Sequence, residues 1–280
     1  MPELPEVETV LRGLAPYIEG RSLARVDVRR GDLRIPVPED FAARITDRRV
    51  ERLWRRGKYL LMDLDDGTTI IAHLGMSGRL VLAGNEITGR GRHDHVSFET
   101  GDGTRIVFND PRRFGLLILA GPGSLENHPL LAVMGPEPLD QAFDGATLSA
   151  ALRTRNISIK AALLDQRVVA GIGNIYACEA LFRAGISPRR KAKGVAGRRA
   201  GRLVPALKHI LAEAIEAGGS SLRDHRRPNG ELGYFQHSFA VYGREGAPCP
   251  GCDCDIDETG GIQRMIQGGR TTFFCPRRQQ

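Results

Sequence analysis

The stretch VSFETGDGTRIVF, running from Val96 to Phe108, decides the fold class of the first half of the chain. Two short strand-like runs, Val96–Glu99 and Arg105–Phe108, carry Val, Ile and Phe, residues that suit a pleated, half-buried surface. Asp102-Gly103 lies between them as a turn signal. Working outward, similar runs occur at Leu23–Val28, Tyr59–Leu64, Thr69–Leu74, Arg79–Leu82 and Leu116–Leu119. Turn signals at Asp66-Gly67 and Gly121-Pro122-Gly123 punctuate them. Many short strands at this spacing predict an antiparallel sandwich or barrel. Before them, Val7, Val10, Leu11 and Leu14 repeat at i, i+3, i+4 and i+7, which predicts a leading helix.

After Gly135-Pro136-Glu137-Pro138, read as a linker, the texture changes. Leu148–Leu152, Ile159–Leu164, Ile175–Ala184 and Leu203–Ala217 read as helices, and Gly171-Ile172-Gly173-Asn174 as a tight turn between two of them. Residues 218–237 read as a loop. The run Arg189–Arg202 holds Arg and Lys but no acid, and reads as a solvated loop or flank. The class is therefore α+β multi-domain, with an N-terminal antiparallel β-sandwich led by a helix and a helical domain after it.

The chain has 280 residues, enough for two or three domains. A hydrophobic content of 41% supplies packed cores. No apolar run approaches the roughly 20 residues of a membrane helix, and MPELPEVETV lacks the basic-then-apolar order of a signal peptide. A cytoplasmic protein with no membrane partner is expected. Forty Lys and Arg face 33 Asp and Glu, a net charge of +7 that suits a polyanionic partner without specifying one. Of five cysteines, Cys178 stands alone on the apolar face of a predicted helix, and the other four crowd the C-terminal end. In a reducing compartment that cluster reads as a metal site sooner than as disulfides.

Removal of Met1 before the small residue Pro2 would leave a secondary amine. An α-amino group titrates near about 8, so an appreciable fraction is nucleophilic at neutral pH. Added to an aldehyde carbon, a secondary amine gives an iminium that withdraws electrons without needing a further proton. Glu3 could serve beside it as general acid or base. Taken alone, a Met-Pro start carries little weight, and Lys58 and Arg270 would read as surface cations. Met76 and Phe114 would read as core, and Asn174 as a plain Gly-Asn helix cap.

MPELPEVET closely resembles the start of the bacterial formamidopyrimidine-DNA glycosylases, the Fpg/MutM family. The resemblance spans essentially the whole chain, with motifs in order: Gly57–Leu60, His73–Arg79, Asn109–Gly115, Gly171–Ala177 and Gly269–Cys275. It implies a DNA-repair glycosylase and AP lyase acting on oxidised purines in duplex DNA, with the protein a monomer. Pro2 would be the Schiff-base nucleophile and Glu3 would protonate the sugar ring oxygen. Lys58 and Arg270 would assist the successive phosphate eliminations. Met76, Arg112 and Phe114 would fill the space left by the extruded nucleotide. His93, Arg155 and Asn174 would contact DNA, with Arg155 standing where a Lys is common, and Ser220, Ser221 and Arg223 would lie on a loop over the base. The implied domains are a catalytic β-sandwich over 1–135, a helix–two-turn–helix domain over 136–240, and a zinc-finger-type β-hairpin over 241–280.

The ending departs from the family's pattern. Its usual close is Cys-Pro-x-Cys, whereas this chain reads Cys275-Pro276-Arg277-Arg278. Arg278 cannot bind zinc. Cys249, Cys252, Cys254 and Cys275 together could still supply the four ligands of one structural zinc ion. The alternatives are a three-cysteine site completed by another group, and a finger that holds without metal. Two other functional readings stay open: an endonuclease VIII-like glycosylase for oxidised pyrimidines, which the Pro2–Val7 start and Phe114 disfavour, and a non-catalytic binder of damaged DNA, which the intact Pro2, Glu3 and Lys58 disfavour.

Overall fold

A computed structural model describes residues 1–83, 91–221 and 227–280. It divides into two compact units. The first comprises Met1–Ala132 and Ala217–Tyr234. It opens with α1 (Leu4–Ile18), followed by β1 (Leu23–Val28), α2 (Phe41–Ile45), β2 (Val50–Arg56), β3 (Tyr59–Leu64), β4 (Thr69–His73) and β5 (Arg79–Ala83). β6 (Asp94–Thr100), β7 (Arg105–Asn109) and β8 (Leu116–Ala120) complete it.

The strands make two four-stranded antiparallel sheets, in the orders β1-β6-β7-β5 and β2-β3-β4-β8. One core joins them: Phe98, Phe108 and Leu80 from one sheet meet Leu60, Ile70 and Leu117 from the other. Val7, Val10, Leu14 and Ile18 of α1 are buried in the same core, the stripe expected of an amphipathic helix. The sandwich and its leading helix are as the sequence predicts. β2 is an addition to the reading. It is an edge strand with Glu51, Arg52, Arg55 and Arg56 along it, so its apolar alternation is faint.

The second unit comprises Val133–Glu216 and Phe235–Gln280. It holds α3 (Gly145–Leu152), α4 (Ile159–Leu164), α5 (Asn174–Arg183), α6 (Arg198–Glu216), the short α7 (Ile256–Thr259) and an antiparallel hairpin of β9 (Gln263–Gln267) and β10 (Arg270–Phe274). Ser158 and Asp144 cap α4 and α3 by accepting backbone N–H bonds from Ala161 and Thr147. α6 starts five residues before the predicted helix, because Arg and Ala are good helix formers and the basic run continues the helix on its exposed side. Glu179 of α5 is buried and accepts N–H bonds from Ala240, Val241 and Tyr242 at 2.9, 3.0 and 2.7 Å, tying the approach to the hairpin onto α5. Among the described residues no helix is long and apolar enough to cross a membrane.

Candidate active site and nucleic-acid interface

Four clusters gather the candidate residues, two in each unit. The first surrounds the N-terminus. Pro2 is buried and Glu3 is 4% exposed. Glu3 is the N-cap of α1, and Pro5 in the first turn suits a position with no intrahelical N–H partner. Glu6, at the third helical position, accepts from the Glu3 N–H at 2.8 Å. Its other carboxylate oxygen accepts from the N–H and the hydroxyl of Ser220 at 2.9 and 2.8 Å. One buried carboxylate therefore fixes both the Pro2-Glu3 start and the loop that follows residue 217. Ser221 accepts from the Gly233 N–H at 2.8 Å. Arg223 lies outside the described residues.

α1 packs on β2 and β3, and the turn joining those strands is Gly57-Lys58. Lys58 is 7% exposed. Next to it, the His73 imidazole stacks at a tilt on Tyr59, with ring centroids 4.9 Å apart. Burial, helped by the positive charges of Lys58 and Arg34, pushes His73 down to about 4. It is neutral at physiological pH, and its Nδ1 accepts from the Gly75 N–H at 2.9 Å.

The second cluster joins two loops, 74–78 and 110–115. Met76 is 40% exposed and Phe114 45% exposed, so neither is a core residue. The Arg112 guanidinium lies 4.8 Å over the Phe114 ring. The loops meet so closely that a Cβ on Gly75 would run into the Phe114 backbone, and Gly75 also takes a φ of +61°. Asp110, fully buried, holds them together. One carboxylate oxygen accepts from the Ser77 hydroxyl at 2.6 Å and the Arg112 N–H at 3.2 Å, and the other from the Gly115 N–H at 2.8 Å. The Asp110 N–H donates to the carbonyl of His93 at 3.0 Å. Replacing Asp110 with Ala strands several buried donors, each costing about 1–3 kcal/mol. Asp110→Ala is expected to lose about 3 kcal/mol of stability in urea unfolding; a loss under about 1 kcal/mol would mean the loops hold without it.

The third cluster lies in the second unit. Gly171 takes a φ of +79° and Gly173 caps α5, so Asn174 is the first helical residue and not the cap. Its amide donates to the Thr271 carbonyl at 2.8 Å. Lys160, fully buried, donates to the same carbonyl at 3.1 Å and to the Thr272 hydroxyl at 2.6 Å. The two residues anchor β10 directly beside Arg270, which is exposed at the Gly268-Gly269 turn of the hairpin. Arg155 stands apart from this group. Its guanidinium pairs with Asp165 at 2.9 Å, and Arg167 binds the same carboxylate and holds it down at about 2.

The fourth cluster is Cys249, Cys252, Cys254 and Cys275, whose sulfurs all lie within 4.8 Å of one another. Cys275 Sγ is 3.6 Å from Cys252 Sγ and 3.9 Å from Cys254 Sγ. Four sulfurs about 2.3 Å from a central ion in a tetrahedron stand roughly 3.8 Å apart, so the set could hold a metal ion. Arg278 turns its side chain outward from them. It donates to the carbonyls of Gly251 and Phe182 at 2.6 and 3.3 Å and lies over the Phe182 ring, while its backbone N–H points at Cys275 Sγ at 3.4 Å. Cys178 is buried, the small apolar filler its helical position predicts.

Residues 1–117 match the family model of the formamidopyrimidine-DNA glycosylase N-terminal domain, and residues 134–226 match that family's H2TH domain. The chain belongs to the formamidopyrimidine-DNA glycosylase family. A formamidopyrimidine-DNA glycosylase of Rhodospirillum rubrum is 59% identical over 283 residues, covering 100% of both chains. Among solved structures, a variant of Lactococcus lactis FPG in complex with Fapy-dG containing DNA superposes with a TM-score of 0.89 at 33% identity, over 100% of both chains. MutM in complex with carbocyclic 8-oxo-G containing DNA gives a TM-score of 0.88 at 34% identity, also over 100% of both. Within this family's fold, Glu6, His73, Asp110 and Lys160 are the residues that a reading of the sequence alone passes over. Glu6 and Lys160 act on groups far away in the chain, while His73 and Asp110 act mainly on backbone N–H groups of their own loops. Glu6, His73 and Asp110 do fall within the MPELPEVET, His73–Arg79 and Asn109–Gly115 motifs; Lys160 falls in none.

Proposed function

We propose that this chain removes oxidised purines, 8-oxoguanine and formamidopyrimidines, from duplex DNA and then cuts the strand as an AP lyase. Its family supports the substrate class, as do the relatives whose complexes contain Fapy-dG and 8-oxo-G DNA. The observation that carries the chemistry is the clamp of the Pro2-Glu3 start by Glu6, which gives a buried, oriented N-terminus where a nucleophile is required. Met1 is 56% exposed and open to removal.

The amine of Pro2 attacks C1′ of the extruded nucleotide. The N–C1′ bond forms as the glycosidic bond breaks, and the base departs with its electron pair. Glu3 gives a proton to the ring oxygen as the sugar opens. The resulting iminium acidifies the C2′ proton; its loss expels the 3′ phosphate, and a second elimination expels the 5′ phosphate. Lys58 and Arg270 are cations suited to the developing charge of the departing phosphates. Met76, Arg112 and Phe114 take the vacated place in the helix, with Phe114 as wedge and Arg112 as donor to the orphaned base. His93, Arg155 and Asn174 hold the backbone. One zinc ion held by Cys249, Cys252, Cys254 and Cys275 would supply structure to the hairpin that carries Arg270 and no chemistry at the lesion.

Product analysis on an 8-oxoguanine duplex tests the reading. It predicts release of the free base and a one-nucleotide gap with phosphate at both ends. A strand that loses its base but stays intact would contradict the lyase, and faster release of an oxidised pyrimidine would contradict the substrate class.

A further inference from the structure

The helical unit carries a cavity that the excision chemistry leaves unused. It measures about 770 Å³ and opens at the C-terminal end of α5, lined by Arg183, Arg190, Arg199, Arg202 and Arg278. No acidic side chain and no aromatic ring lines it, though Gln280, which carries the chain's α-carboxylate, is among its walls. Among the described residues Arg183 alone of the five makes an ion pair, with Glu213 at 2.7 Å. Arg278 spends its donors on the carbonyls of Gly251 and Phe182, which leaves its charge unmatched. Among the described residues Arg199 reaches only the carbonyl of Gly194, at 3.4 Å, and the Nε–H of Arg190 has no acceptor. Arg199 and Arg202 stand one turn apart on the same side of α6.

We infer that this cavity binds a ligand bearing consecutive phosphate groups. Guanidinium forks pair bidentately with phosphate oxygens. Several like charges around one concavity call for a partner that packs several negative charges into a small volume. The volume exceeds what a single phosphate needs and falls in the range of cofactor-sized sites. With no ring for a base to stack on, the phosphates are the recognised part. Asn174 and Arg183 are the first and last residues of α5, nine residues or about 13.5 Å apart, so the cavity is distinct from the turn assigned to the lesion strand. Consecutive phosphates reach a protein either as a free nucleotide's chain or as the backbone of a nucleic acid strand.

Calorimetric titration of the full chain with sodium tripolyphosphate, at constant ionic strength, tests this against the double variant Arg199→Gln, Arg202→Gln. The wild type should bind, and the variant should bind about tenfold more weakly with its excision rate unchanged. Displacement by ATP but not by undamaged duplex identifies the nucleotide source; displacement by duplex identifies the backbone. Equal affinity in wild type and variant, no binding at all, or binding of a tetraglutamate peptide as tight as that of tripolyphosphate overturns the proposal. Binding is read without turnover, so its failure leaves the excision reading intact, and an inactive enzyme that still binds leaves the cavity reading intact.

Discussion

Glu3→Gln should lower the rate of 8-oxoguanine excision by roughly 10²–10⁴-fold, the usual worth of a positioned general acid. Glu3 is buried at the N-cap of α1, and its carboxyl is positioned by a capping box with Glu6: it accepts from the Glu6 N–H while Glu6 accepts from the Glu3 N–H at 2.8 Å. Gln keeps the size of the side chain and its acceptor oxygen, so the helix start survives and thermal stability should move little. What Gln lacks is a proton to give. That loss bears on opening the sugar ring of an intact nucleotide. At an abasic site part of the sugar is already an open aldehyde, so cleavage there should fall far less than excision. Single-turnover rates on the two substrates check this. Equal losses on both would show that Glu3 acts after ring opening or only supports the fold.

Stripping the metal should abolish productive DNA binding without unfolding the β-sandwich. Two of the sulfur spacings, 3.6 and 3.9 Å, match a tetrahedral site, and burial pushes the Cys249 thiol up to about 12 when no cation is there to hold a thiolate. Structural zinc contributes about 10 kcal/mol or more to small zinc domains near neutral pH. A lone two-stranded hairpin is marginal by comparison. Elemental analysis should give one zinc per chain. Cys254→Ser should lose it, because Cys254 Sγ lies 3.9 Å from Cys275 Sγ within the four-sulfur cluster. Arg278→Ala should keep it, since that side chain binds Gly251 and Phe182 rather than the sulfurs. Full zinc content in Cys254→Ser would point to a site made differently.

Much of this architecture can be read from the sequence. The seven strand-like runs and four helical runs fall on observed elements, because alternation and the 3.6-residue period follow directly from which face is buried. β2 escapes because an edge strand needs less apolar sequence, and the basic start of α6 escapes because charge reads as solvated loop. The residues proposed for the chemistry were legible as motifs, and the bonds that support them were not. Asp110 acts on the N–H groups of Arg112 and Gly115 and on the hydroxyl of Ser77, and Glu6 acts on Ser220, 214 residues away. No spacing rule announces Ser77 or Ser220 as partners. Met76 and Phe114 look like core residues by type, and only their exposure in the folded unit separates them from it.

The central claim is that the Pro2 amine forms the covalent bond to the damaged nucleotide. Borohydride reduction during turnover on an 8-oxoguanine duplex, followed by mass mapping of the cross-linked peptide, tests it most directly. The account predicts a trapped complex carrying the sugar on the N-terminal Pro2 of a chain that has lost Met1. Attachment to a lysine such as Lys58, or excision with no trapped complex, would contradict it.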